Sequence, residues 1–180
     1  MDPTLVVSRL ETFEGRLRHM YLCTGGKVTI GVGHAIETPA DAAKLTWSIN
    51  GRSATADEIR ADYAKVAAAP KGQVAKSYAV LTQCRMADTD IDALITGDVT
   101  HFAGSLAAAL PNWNSYPAPA QAALFDMAFN LGLGGLQKFP HLLAAVDAHQ
   151  WSAAAAQCHR QGIGEDRNLQ TADLFRQAAG

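Results

Sequence analysis

Residues 121–131 read Gln-Ala-Ala-Leu-Phe-Asp-Met-Ala-Phe-Asn-Leu, apolar almost all the way round a helix. A helix without a polar face has to be buried on every side, so the rest of the chain must supply elements to wrap it. The candidates are helical. Asp2-Pro3 can serve as N-cap and first helical residue of an opening helix, with Val6, Leu10, Phe13 and Leu17 at helical spacing and Gly15 as its stop. Thr55-x-x-Glu58 is a capping box in front of Ile59, Tyr63 and Val66. Ile91, Leu94/Ile95, Val99, Phe102 and Leu106 mark a further amphipathic helix, and Pro111 to Pro119 is a turn-rich break before the apolar run. Shorter helices are expected at about 137–148, 151–160 and 167–178.

One stretch breaks the helical pattern. From Tyr21 to Gly33 two short β-prone runs flank Gly25-Gly26, which reads as a tight hairpin. Gly31 and Gly33 would leave one strand face open to close approach. The expected fold class is therefore α+β: a small hairpin-bearing N-terminal lobe and a larger helical C-terminal lobe, all within one domain over residues 1–180. A chain of 180 residues can bury roughly two-thirds of its unfolded surface, which suits that size.

Charge and cysteine content narrow the function classes. Lys+Arg 15 against Asp+Glu 17 leaves a net charge of −2 and no global basic field, so neither a nucleic acid nor a membrane is an expected partner. No window approaches the ~18 apolar residues of a membrane span, and the N-terminus lacks the pattern of a signal peptide. Cys23, Cys84 and Cys158 leave at least one thiol free, with Cys84–Cys158 the only pairing to entertain. His141, His149 and His159 lack zinc-like spacing and read as surface residues on helices. No metal and no cofactor are expected.

The chemistry-bearing group is Glu14, Cys23 and Thr29 around the helix-to-hairpin junction. Glu14 falls at the C-terminal end of the first helix, where the macrodipole disfavours a carboxylate, as a general acid requires. The hairpin can fold Cys23 and Thr29 back towards it. Spacing alone nevertheless favours a plainer account, of a solvated helix-end carboxylate, a buried thiol and an ordinary strand residue.

The wider pattern adds a resemblance. Eight residues separate Glu14 from Cys23 and five separate Cys23 from Thr29, which is similar to the E-8-(D/C)-5-T pattern of phage-type lysozymes. Phe13 to Arg18, Thr29 to His34, Ala122 to Gly132, Trp151 to Ala155 and Arg167-Asn168 follow in the order that family has them. The stretch from Phe129 to Asn168 also resembles muramidase domains of bacterial toxins, of the pesticin type or the type VI effector type, although Glu37 and Asp41 do not match the spacing of the pesticin acid.

The resemblance implies a lysozyme-like fold and a muramidase that cleaves the β-1,4 bond between N-acetylmuramic acid and N-acetylglucosamine, lysing bacterial cells. Glu14 would be the general acid, with Cys23 (where many relatives have Asp) and Thr29 positioning the water. Arg167 would approach the glutamate, and Asn130 and Phe129 would line the glycan cleft, although Phe129 equally suits a core. His34 reads as structural. Trp47, Trp113 and Trp151 are either sugar platforms or rings at a lobe boundary. Arg16, Arg18 and Lys27 are either a steering patch or, by default, a solvated rim.

Two other outcomes stay open. A lytic transglycosylase shares the fold and needs no attacking water, and a non-catalytic peptidoglycan-binding module would keep the fold alone. The implied partner is the peptidoglycan glycan strand, joined by an immunity protein if the chain is a secreted effector. The chain is expected to be a monomer, made in the cytoplasm and delivered to the periplasm or wall by a holin or a secretion apparatus.

Overall fold

The computed structural model describes all 180 residues. In chain order the elements are α1 (Pro3–Glu14), β1 (Leu17–Leu22), β2 (Val28–Gly31), β3 (His34–Ala35), α2 (Pro39–Ala42), β4 (Ser48–Ile49), β5 (Arg52–Ser53), α3 (Ala56–Ala67), a 3-10 helix (Ala75–Leu81), α4 (Asp88–Ala109), a 3-10 turn (Trp113–Ser115), α5 (Ala118–Leu131), α6 (Leu133–Leu136), α7 (Pro140–Asp147), α8 (Trp151–Gln157) and α9 (Glu165–Gln177). The organisation is α+β, mostly helical with a small antiparallel sheet near the N-terminus. Two compact units are present: Glu14–Asp98, and Met1–Phe13 together with Val99–Gly180. The opening helix thus belongs to the helical unit, and the boundary after Asp98 falls inside α4.

In the unit Glu14–Asp98 the sheet runs β1-β2-β3, antiparallel throughout. Tyr21 pairs with Thr29 and Leu22 with Val28, and an irregularity in register lies between Leu17 and Tyr21. The hairpin loop closes by Cys23 N–H donating to the Lys27 carbonyl at 3.0 Å and Gly26 N–H donating to the Cys23 carbonyl at 2.8 Å. Leu17 opens β1 instead of continuing α1, because Gly15 at φ 75 ends the helix before it.

Every residue of β2 is buried. Gly31 sits at φ 66, and a Cβ built on it would lie 3.1 Å from Ile91 Cγ2 of α4. The strand face expected to be open is therefore covered by a helix, and the glycine is needed for that contact. A second two-stranded ribbon, β4-β5, turns at Asn50-Gly51 (φ 50 and 82); its strands are two residues long, too short to carry a periodic signal. The capping box of α3 forms as read, and Arg52 adds an ion pair to its Glu58.

In the helical unit, the α5 residues from Ala120 to Ala128 are buried without interruption, as the sequence requires. Phe102 of α4 meets Phe125 and Phe129 of α5 edge-on, with ring centroids 5.2 and 6.0 Å apart. Helices α7, α8 and α9 begin or end a few residues away from their expected limits, as weakly capped short helices do. His149 and His159 lie outside helices, whereas His141 is on α7. Trp47, Trp113 and Trp151 are all core residues, only 3%, 4% and 7% exposed, which removes them as open sugar platforms. All three thiols are free, so Cys84 and Cys158 are not paired. No helix is long and apolar enough to cross a membrane.

Candidate active site

Glu14 is the last residue of α1 and is exposed. Cys23 follows β1 directly and is half-buried, and Thr29 on β2 is only 2% exposed. The antiparallel register brings Thr29 opposite Tyr21 on the same face of the sheet.

The surroundings of the sulfur distinguish Cys23 from the other two thiols. Burial pushes it up, but hydrogen bonds to the sulfur from the amides of Lys27, Gly25 and Gly26 and from the Thr29 hydroxyl outweigh that and bring it below the ordinary thiol value. Successive amides turned towards one atom form an anion-binding concavity. Cys84, by contrast, is raised to about 12 by burial and by the neighbouring Asp62. Burial likewise raises Cys158, whose sulfur lies 3.3 Å from the Ala155 carbonyl.

Thr29 serves the thiol more than it serves solvent. Its Oγ1 lies 3.0 Å from the Lys27 carbonyl and within hydrogen-bonding reach of the sulfur. A hydroxyl has one proton, so Thr29 gives it to the carbonyl beside a thiol or to the sulfur of a thiolate.

The three basic residues of the expected rim are paired within the unit Glu14–Asp98. Arg16 is 3.2 Å from Asp88 and 2.7 Å from Asp92, Arg18 donates to the Met86 carbonyl at 2.9 Å, and Lys27 is 2.7 Å from Glu37. His34 is structural as read, with Nδ1 2.8 Å from Asp98 Oδ2. That hydrogen bond raises the imidazole against the effect of burial. No group of three or more His, Cys, Asp or Glu side chains is placed to hold a metal ion.

The remaining expected site residues, Phe129, Asn130 and Arg167, lie in the helical unit. Phe129 stacks on Phe125 at 6.0 Å and is half-buried. Asn130, also half-buried, has an Oδ1 that is sealed from solvent without a donor. Arg167 is only 9% exposed. Its Nη2 lies 2.9 Å from Asp126 Oδ1, and its guanidinium lies over the Phe13 ring at 4.8 Å.

Asp126 also holds Arg160 at 2.9 Å and accepts from Thr171 at 3.0 Å. Burial pushes this carboxyl up, but hydrogen bonding from Arg167 and the charges of Arg167, Arg160 and Arg9 keep it below its ordinary value. Sequence reasoning missed the cluster. Its one signal was Asp126 as the only charged residue of the apolar run, since a buried charge needs a partner; nothing pointed to Arg160.

The model of the phage lysozyme family matches residues 11–177, almost the whole chain. The chain belongs to the phage lysozyme family. No curated protein matches it. Membership makes it a glycoside hydrolase that degrades peptidoglycan, carried on the lysozyme-like α+β fold described above. The phage lysozyme match runs through Glu14, Cys23 and Thr29 at one end and Arg167 at the other.

Proposed function

We propose that the chain is an inverting muramidase over residues 1–180, cleaving the β-1,4 bond between N-acetylmuramic acid and N-acetylglucosamine. Glu14 gives its proton to the glycosidic oxygen as the bond from the anomeric carbon to that oxygen breaks. A water on the opposite face of the ring attacks the anomeric carbon and releases a proton to the Cys23 thiolate. Solvent then returns a proton to Glu14 and takes one from the thiol, which closes the cycle. An inverting glycosidase needs a base spaced from the acid by the width of that water.

The observation that carries this reading is the cradle of amides and the Thr29 hydroxyl around the Cys23 sulfur. An ordinary thiol is mostly protonated at neutral pH, and this cradle favours the thiolate. Thr29, being buried, acts on the sulfur as a positioning residue. Asn130, half-buried, would bind glycan. Phe129 and Arg167 would also bind glycan. Lysis of bacterial cells, after delivery through a holin or a secretion apparatus, completes the proposal.

Mass spectrometry of fragments released from purified sacculi tests it. Products ending in reducing N-acetylmuramic acid are expected, and Glu14→Gln should bind sacculi but release nothing. Anhydro ends, lighter by one water, would make the protein a lytic transglycosylase and Cys23 a bystander. Equal release by Glu14→Gln and the parent would remove Glu14 as the acid.

A further inference from the structure

Val74 and Val80 are 76% and 88% exposed, the two large apolar side chains that the unit Glu14–Asp98 leaves in water. Both belong to one segment. A 3-10 helix has three residues per turn, so residues three apart stack in a row. Over Ala75–Leu81 the inner row is Ala75, Tyr78 and Leu81, with Tyr78 buried, and the outer row is Ser77 and Val80. Val74 stands one turn before Ser77, whose amide and hydroxyl donate to the Val74 carbonyl at 2.8 and 2.7 Å. The ridge is braced from beneath. The Tyr78 hydroxyl donates to the Pro70 carbonyl at 2.8 Å, Arg85 Nη2 donates to the Ala79 carbonyl at 3.1 Å, and His19 Nε2 of β1 lies 3.2 Å from the Ala75 carbonyl. The ridge is also cationic, and it begins over the candidate site. A Cβ built on Gly26 would lie 2.6 Å from Lys71 Cε and 2.8 Å from its Nζ, so the lysine stem crosses the hairpin turn that carries Cys23. Arg16 and Lys27 hold acids, whereas neither Lys71 nor Lys76, both exposed, has a carboxylate or carbonyl on its ammonium.

We propose that this ridge is a subsite for the stem peptide of peptidoglycan, with Lys71 and Lys76 taking its carboxylates and Val74 and Val80 its alanine methyl groups. The inference rests on the chain being a muramidase. Stem peptides hang from the N-acetylmuramic acid residues and alternate small apolar side chains with free carboxylates, which is the chemistry that exposed valines between unpaired ammonium groups complement. Lys71, lying across Gly26, puts the first cation beside the turn that holds the proposed base. A braced ridge has little freedom to lose when a peptide settles on it. The peptide is held equally before and during bond cleavage, so the subsite acts on KM and leaves kcat alone.

The test compares soluble glycan strands that keep their stem peptides with the same strands after an amidase has removed them, which leaves only the lactyl carboxylate of the sugar. For the parent, KM should be about three- to tenfold higher on stripped strands than on intact ones, the worth of two exposed ion pairs and some apolar contact. Lys71→Gln combined with Lys76→Gln should bring the two KM values together by raising the one on intact strands, with kcat unchanged. Val74→Ser combined with Val80→Ser should narrow the gap by roughly twofold or more. The four side chains are exposed, so both variants should fold as the parent does, which circular dichroism checks. A parent that treats the two strands alike, or either variant keeping the full parental gap, would overturn the proposal. So would an equal rise of KM on both strands in the lysine variant, which would assign the cations to the lactyl carboxylate. Binding to vesicles of anionic phospholipid that depends on Lys71 and Lys76, with the KM gap unmoved, would give the ridge to a membrane instead. A parent that cleaves neither strand would sink the muramidase reading and this inference with it, whereas cleavage of both with an unmoved gap in the variants sinks the ridge alone.

Discussion

Arg160 Nη1 lies 2.9 Å from Asp126 Oδ2, with side chains 0% and 3% exposed, so the helical unit is built around an ion pair that water does not reach. The pair is well supported. The Arg160 Nη2 donates to Thr171 at 2.8 Å and its Nε to Asn168 at 3.3 Å, while Asn168 Nδ2 returns a hydrogen bond to the Arg160 carbonyl at 2.9 Å. The same carboxylate takes Arg167 on its other oxygen. One acidic side chain on α5 thereby ties α9 and the segment before it to the central helix.

Asp126→Asn should therefore cost about 3–5 kcal/mol of stability, because it leaves buried guanidinium groups without their counter-charge. Urea unfolding followed by circular dichroism measures it. Asp126→Asn combined with Arg160→Met should lose less than Asp126→Asn alone, since the second change removes the stranded charge. A double variant worse than the single one would mean that packing, rather than charge, dominates the site.

Cys23→Ala should lower the rate of sacculus digestion by roughly 100-fold or more, the usual worth of a positioned general base. Cys23→Asp should retain activity, with the acidic limb of the pH–rate profile moved to lower pH, because a carboxylate is deprotonated well below even the lowered thiol. Thr29→Val removes a donor to the thiolate, so its acidic limb should move to higher pH. Identical profiles for the parent and Cys23→Asp would show that position 23 does not titrate in the reaction.

Gly31→Ala should destabilise the sheet unit by about 1–3 kcal/mol, the cost of a left-handed residue with a side chain. The added methyl also presses on Ile91 at 3.1 Å. Combining it with Ile91→Val should recover the part due to contact and none of the part due to backbone conformation. Thermal melts of the three variants distinguish these contributions.

His34 and Asp98 give stability a pH dependence of known sign. The hydrogen bond to Asp98 raises the folded imidazole above its unfolded value of 6.5, so the pair contributes fully below that value and fades as pH rises through the raised one. Both side chains are partly exposed, 27% and 37%, so the effect is on the order of 1 kcal/mol or less. The difference in Tm between the parent and Asp98→Asn should be largest near about pH 5.5 and should close by about pH 9. A constant difference across that range would remove the pair as its source.

The sequence by itself determined the local elements and the order of the chemistry. The unbroken apolar face of residues 121–131 demands burial wherever it is placed, and Ala120 to Ala128 are buried. Gly25-Gly26 dictates a turn and Thr55-x-x-Glu58 a helix start, because both work through neighbours a few residues away. The spacing of Glu14, Cys23 and Thr29 was equally legible as a pattern.

Only the tertiary structure decided which long-range partners those residues met. Ile91, 60 residues after Gly31, covers the strand that looked open. The tryptophans became core, and the cations at 16, 18 and 27 found acids or carbonyls ten or more residues away. Arg160 pairs with an acid 34 positions earlier, and the Cys23 sulfur is set by three amides that a composition or a spacing does not orient. Burial and charge pairing depend on distance through space, and that distance exists only once the helices and the hairpin have packed.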